Sequence, residues 1–192
     1  TGKIMIATAK LSGAEYLIAC ANSRSNKKND VENVVYIGNR ITRNINLLFQ
    51  KYTGLVSCSL LEMISTAIFL RKVKQFSPDI IHLHNLHDCY ISLPLLFRYI
   101  KKHNIPVVWT LHDCWAFTGR CPHFEYDNCE KWVTGCEFCP YPKYNYPQTK
   151  LDRTKVMWRL KRKWFSGVKK LTIVTPSQWL ANMVKMSYLK EY

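Results

Sequence analysis

The segment from His112 to Pro140 holds five of the chain's eight cysteines, two histidines and five tryptophan or phenylalanine side chains. Cys136 and Cys139 are two residues apart, the spacing that lets two thiolates reach one tetrahedral ion, and Cys121 and Cys129 lie upstream to supply a second pair. Three chemistries fit the pattern: a four-thiolate structural zinc site, packed free thiols, or disulfides. Four protein ligands close the coordination shell of zinc, so such a metal braces a loop and leaves no position open to a substrate. His123 and Cys114 are reserve ligands. A redox dithiol fits less well, because Pro140 and Pro142 follow Cys139 inside a long loop, whereas a thioredoxin-like pair belongs at a strand-to-helix junction. Trp115, Phe117, Phe124 and Trp132 carry enough apolar area to pack the loop into a satellite core.

Histidines supply the second set of candidates. His82, His84 and His87, with Asn85 between them, follow one β-branched run, and His112-Asp113 follows another. An imidazole at the end of a strand can exchange a proton or donate to a phosphate near pH 7. Period-two alternation puts His82 and His84 on one face and points His84 toward the crevice that His112 would border. Asp113 orients or charge-balances His112, or serves as a turn or helix cap; adjacent residues on a strand point apart, which weakens the first role.

The elements that must position these residues are legible in outline. Val107 to Leu111, Leu171 to Thr175 and Asp79 to His84 are short apolar or β-branched runs of the kind found in buried parallel strands. Ser92 to Lys102 has apolar residues at 93, 95, 96, 99 and 100 with cations at its end, the pattern of an amphipathic helix. Leu60 to Phe76 is helical in period and stops at Ser77-Pro78, residues 3 to 11 form a helix, Ala14 to Cys20 a strand, and Ser177 to Leu189 a closing helix. Alternation of helix and strand implies an α/β domain built on a parallel sheet, with ligands beyond the carboxyl ends of its strands. Such domains usually open on a strand. This chain opens on Thr1-Gly2-Lys3, so an N-terminal strand is expected to precede it, with Thr1 and Gly2 the remnant of the loop after that strand.

With 192 residues and 47% hydrophobic content the chain makes one globular domain. Its longest apolar runs fall far short of the roughly 18 residues a membrane span needs, and the N-terminus shows no charged segment followed by a hydrophobic signal core. The net charge is +15, and between Lys150 and Lys170 nine Lys or Arg face one acid, Asp152. Such a focus favours an anionic partner. The apolar residues Val156, Met157, Leu160, Trp164, Phe165 and Val168 make one helical face of residues 154 to 170, so the cations and Trp158 are expected to meet an anionic membrane surface while that face packs inward. A zinc-braced nucleic-acid-binding module is the rival class. The cysteine spacing matches no common DNA-reading finger and the cations gather away from the cysteines, so a nucleic-acid partner is not expected.

Four motifs in order carry a resemblance: Pro78-Asp-Ile-Ile-His-Leu-His-Asn85, Ile105-Pro-Val-Val-Trp-Thr-Leu-His-Asp-Cys-Trp-Ala-Phe-Thr-Gly119, the cysteine-rich insertion spanning 112–147, and Leu171-Thr-Ile-Val-Thr-Pro-Ser-Gln-Trp-Leu180. The chain resembles the N-terminal half of a retaining glycosyltransferase of family 4, of the bacterial capsular or exopolysaccharide type. The resemblance implies a Rossmann-like parallel sheet with helices on both faces, one half of a two-domain glycosyltransferase B fold, with residues 1–192 as the acceptor-side domain and the donor domain outside this sequence. It implies a nucleotide-sugar donor, a lipid-linked or saccharide acceptor, and a cytoplasmic enzyme peripheral on the inner face of the membrane. That reducing setting disfavours stable disulfides and favours structural zinc at Cys121, Cys129, Cys136 and Cys139. His112 corresponds to the strand-end histidine beside the transferred sugar. Thr1 and Gly2 correspond to the glycine-containing loop near donor phosphates and acceptor, and His84, Asn85 and Asp113 line the same mouth. The paired glutamates and diphosphate-gripping cations of such enzymes have no counterpart here, so the domain alone is not expected to turn over.

Overall fold

The computed structural model describes residues 2–23, 32–125, 128–139 and 148–192, with side chains from residue 5 onward. Five short strands and seven helices are described: α1 (Gly2–Leu11), β1 (Ile18–Ala21), β2 (Val34–Ile37), α2 (Arg40–Thr53), α3 (Leu60–Phe76), β3 (Ile81–Leu83), α4 (Leu93–His103), β4 (Val107–Thr110), α5 (Lys131–Thr134), α6 (Thr154–Phe165), β5 (Leu171–Val174) and α7 (Gln178–Met186). A 3-10 turn at Trp115–Phe117 follows β4. All described pairings are parallel, in two separate sheets of order β1-β2 and β3-β4-β5. The expected α/β architecture of parallel sheets flanked by helices is present, although its strands form two hydrogen-bonded groups.

The site rests on β3, β4 and β5. Register aligns Ile81 with Val107 and Leu83 with Trp109, and then Val107 with Leu171 and Thr110 with Val174, so the three carboxyl ends finish nearly level. Val107 and Trp109 point into the core while Val108 and Thr110 are half-buried, as the two-residue period of a strand requires. Against this sheet α4 buries Leu93, Leu96, Phe97 and Ile100, at the spacing of one helical face. Pro94 sits in its first turn and Asn104, in the left-handed region at φ 51°, ends it. Phe97, Trp109 and Phe165 meet with ring centroids 4.6 to 5.6 Å apart, joining α4, β4 and α6. Burying each such ring contributes about 2 to 3 kcal/mol, so this trio is a main support of the platform.

Caps set several boundaries. Ser59 and Glu62 form a reciprocal capping box at the start of α3, and Asn39 and Thr42 do the same for α2. Gly54 closes α2 at φ 72°, where an added Cβ would lie 2.6 Å from the Leu151 carbonyl oxygen.

Three expectations need correction. The strand placed at 14–20 is Ile18–Ala21. The helix placed over 154–170 ends at Phe165, because Ser166 leaves helical geometry and Gly167 turns the chain at φ 78°. On α6, Trp158 does not reach outward: it is 6% exposed and its indole N–H donates to the Trp132 carbonyl at 2.8 Å. Lys161 is fully buried, and its ammonium donates to the Trp115 carbonyl.

Candidate active site

Two cross-strand pairs assemble where β3 and β4 end. His84 Nδ1 and His112 Nε2 are 3.0 Å apart, and further along, three residues after His84 and one after His112, His87 Nε2 and Asp113 Oδ2 are also 3.0 Å apart. His82 Nε2 lies 2.8 Å from Thr110 Oγ1, and its ring centroid is 4.4 Å from that of His84. The level strand ends bring these groups together, and the core holds them: the Trp109 indole N–H donates to the His84 carbonyl at 3.1 Å.

Electrostatics separates the histidines. Burial, reinforced by the neighbouring His82 and His112, holds His84 down at about 4, and burial with His112 lowers His82 as well. His84 is therefore neutral near pH 7. The hydrogen bond to His112 uses Nδ1 of His84, whose buried Nε2 has no hydrogen-bond partner in the described structure. His112 is the exposed member. Nε2–H of His112 can donate to Nδ1 of neutral His84, which orients the exposed ring and leaves its outer nitrogen free to meet a ligand.

Asp113 turns away from His112, as adjacent residues must. Its Oδ1 accepts the Trp115 N–H at 2.8 Å, closing the turn after β4, while Oδ2 meets His87. Burial pushes the carboxyl up, but these two hydrogen bonds and the charges of His87 and His123 hold it below its ordinary value. Asp113 is thus both turn cap and charge partner, with His87 in the place expected for His112. His87 stands among the strand-end histidines of the sequence, but no period in that loop points it to Asp113. Asn85 is exposed, and its carbonyl accepts the Tyr90 hydroxyl at 3.0 Å. Gly2 is the first residue of α1 rather than part of a loop, and Thr1, like Pro140 and Pro142, lies outside the described residues.

The cysteine-rich segment forms a wall behind these pairs. Trp132 stacks on Phe124 at 5.0 Å and meets Phe117 at 5.2 Å, and with Trp115 these rings join the main core of the domain rather than a separate satellite. Gly119 is packed so closely that a Cβ there would lie 2.6 Å from the Thr154 carbonyl, and its N–H donates to Cys136 Sγ at 3.1 Å. Cys121 hydrogen-bonds Cys139, an interaction that, with burial, raises its pKa, and burial pushes Cys136 up to about 11. No disulfide joins any of the eight cysteines. Among the described residues no three His, Cys, Asp or Glu side chains form a group that could hold a metal ion, so the structure lends the zinc brace no support. Beneath the wall lies a residue that charge counting alone misplaced: Lys161, whose Nζ sits 3.6 Å from the Trp115 ring centroid. Burial brings its pKa down to about 7, against the opposing pull of Cys136, Asp113 and Cys121. A surface depression of about 620 Å³ between α5 and α6 is lined by Arg159, Arg162, Lys163, Trp158, Thr134 and Ser166. It includes none of the histidines and marks the cationic outer face of α6.

A parallel α/β domain with imidazoles gathered at its strand ends is the architecture of a ligand-binding Rossmann-like half. The family model for Glycosyltransferase Family 4 matches residues 13–188, and the chain belongs to that family. Over 118 residues the chain is 37% identical to the putative colanic acid biosynthesis glycosyl transferase WcaC of Escherichia coli (strain K12), an alignment covering 58% of this chain and 28% of that protein. The chain therefore corresponds to less than a third of that relative's length. No solved structure gives a significant match.

Proposed function

We propose that this chain is the acceptor-side part of an enzyme that transfers a sugar, with retention of configuration, from a nucleotide-sugar to a saccharide or lipid-linked acceptor during exopolysaccharide assembly. The His84–His112 pair carries the reading. It stands at the carboxyl ends of adjacent parallel strands, where such sheets bind ligands, and it couples an exposed imidazole to a half-buried neutral one. Membership of the family and the likeness to a relative named for colanic acid biosynthesis support the substrate class.

In this reading His112 touches the sugar or the reacting phosphate oxygen and donates a hydrogen bond or proton there. His84 holds the ring of His112, and His87 with Asp113 fixes the loop that follows β4. Asn85, Thr1 and Gly2 are substrate contacts in this reading. The enzyme works on the cytoplasmic side of the membrane, and the nucleic-acid alternative gains nothing from the structure.

The test is transfer by the complete enzyme carrying His112→Ala. Loss of at least about a hundredfold in kcat/KM at unchanged melting temperature is the expected result, since a positioned acid or base commonly supplies that factor. Turnover like the parent's would return His112 to a structural role.

A further inference from the structure

Helix α2 is polar on the side that faces the rest of the domain. Arg43, Asn46 and Gln50 recur at intervals of three and four residues, so they make one stripe, and Asn46 and Gln50 are only 3 and 6% exposed. Buried polar side chains cost stability unless they are hydrogen-bonded. All three of these find their partners on the same two residues. Arg43 grips the Asp88 carboxylate with two prongs, Nε at 3.1 Å and Nη2 at 2.7 Å. Asn46 donates to the Cys89 carbonyl at 3.0 Å, and the Cys89 thiol donates to the Gln50 side-chain oxygen. Ser59 donates to Asn46 at 2.6 Å, which fixes the amide that makes the second contact.

Asp88 and Cys89 belong to the loop that leaves β3, and that loop carries His84, Asn85 and His87. Its backbone needs holding. Cys89 lies in the left-handed region at φ 53°, which a residue with a side chain keeps only when its surroundings impose it. The loop is pinned at its start by the Trp109 indole on the His84 carbonyl, and at its end by the Ser92 N–H, which donates to Thr66 at 2.7 Å. Between those pins, the His84–His112 and His87–Asp113 contacts depend on where the chain turns at 88 and 89, and α2 sets that turn. A forked guanidinium–carboxylate contact fixes orientation as well as distance.

We propose that Arg43, Asn46 and Gln50 are positioning residues for the strand-end histidines: by clasping Asp88 and Cys89 they set the loop so that His84 meets His112 and His87 meets Asp113. The catalytic consequence rests on the sugar-transfer reading, whereas the setting of the loop can be read without turnover.

NMR titration of the 192-residue chain tests it first. The parent His84 ring should titrate near pH 4, held there by burial and its neighbours, and Arg43→Gln should raise the midpoint by at least about one pH unit as the loop loosens. Asp88→Asn, made from the other side of the contact, should do the same, and Arg43→Lys, which keeps the charge but loses the fork, should fall between. Val73→Ala, a truncation in the core near the end of α3, should lower the melting temperature and leave the midpoint where it is. In the complete enzyme Arg43→Gln should cut kcat about tenfold, since a small misplacement of a reacting group is costly, and Arg43→Gln/Asp88→Asn should be no worse than Arg43→Gln alone. A midpoint unmoved by both Arg43→Gln and Asp88→Asn, or moved as far by Val73→Ala, would overturn the proposal. So would additive losses in the double variant, or parent-like transfer by Arg43→Gln where His112→Ala is inactive. If His112→Ala itself transfers like the parent, the sugar-transfer reading falls instead, and the shifted midpoint still establishes the positioning.

Discussion

Replacing Lys161 by Met should change the stability of the domain with opposite sign at the two ends of the pH scale. The ammonium is fully buried, donates to the Trp115 carbonyl and lies over the Trp115 ring. Burial brings its pKa from 10.5 to about 7. At about 1.4 kcal/mol per pH unit, that depression corresponds to about 5 kcal/mol of unfavourable charge burial, present in full below pH 7. Between pH 7 and 10.5 the unfolded chain binds more protons at this site than the folded one, so on this account stability rises with pH through that window. Methionine removes the charge but leaves the Trp115 carbonyl without its donor, a loss of about 1 to 3 kcal/mol. At pH 6 the variant should therefore be more stable than the parent by about 3 kcal/mol, and at pH 10 less stable by about 1 to 2 kcal/mol. Urea titrations of both proteins at pH 6, 8 and 10 measure the crossing. Parallel pH profiles would show that no ammonium is buried at this position and would undo the reasoning.

Further outcomes follow from the same geometry. Burial raises Glu62 to about 7, so stability due to this group falls as pH climbs from 4.5 to 7; Glu62→Gln should flatten that fall and gain up to about 3 kcal/mol above pH 7 by chemical denaturation, and a variant weaker at every pH refutes it. By NMR the His84 ring should titrate near pH 4, and a midpoint above 6 would contradict its burial beside His82 and His112. Asp113→Asn should weaken the His87 contact by removing the carboxylate charge while keeping an acceptor for Trp115 N–H, lowering transfer by the complete enzyme about tenfold with little effect on melting; unchanged transfer would make the pair a loop fastener only. With free thiols in the wall, a chelator should leave the melting temperature unaltered, whereas a drop of more than about 5 °C with stoichiometric zinc recovered would restore the four-thiolate site.

Much of the platform was legible because its patterns are simple. Strand β4 and helix α4 could be read from a β-branched run and from apolar residues at helical spacing, and α3 matches its expected span from Leu60 to Phe76. The pairing of His84 with His112 followed from strand alternation and from the rule that ligands gather at strand ends. Strand β2 and helix α2 passed unnoticed. Helix α2 shows the reason: a reader seeks apolar residues on the inner face, and here Asn46 and Gln50 occupy it. Lys161 failed for the same cause in reverse, since a cation among cations counts as solvated until the fold places it under Trp115. The metal expectation rested on the Cys136 and Cys139 spacing. The thiols do gather, since Cys121 hydrogen-bonds Cys139 and Cys136 feels both Cys129 and Cys139, but among the described residues they do not form a group that could hold a metal ion.

Trp109 serves two masters, since its ring fills the junction with Phe97 and Phe165 while its N–H holds the His84 carbonyl. A lineage drifting at this position has few routes open. Phenylalanine or leucine can satisfy the interior but strands the carbonyl that seats the imidazole, and a smaller polar residue that could reach the carbonyl would hollow the interior. Change at 109 is therefore tied to change at 97 or 165, and a screen for thermal tolerance alone would accept substitutions that quietly unseat the site.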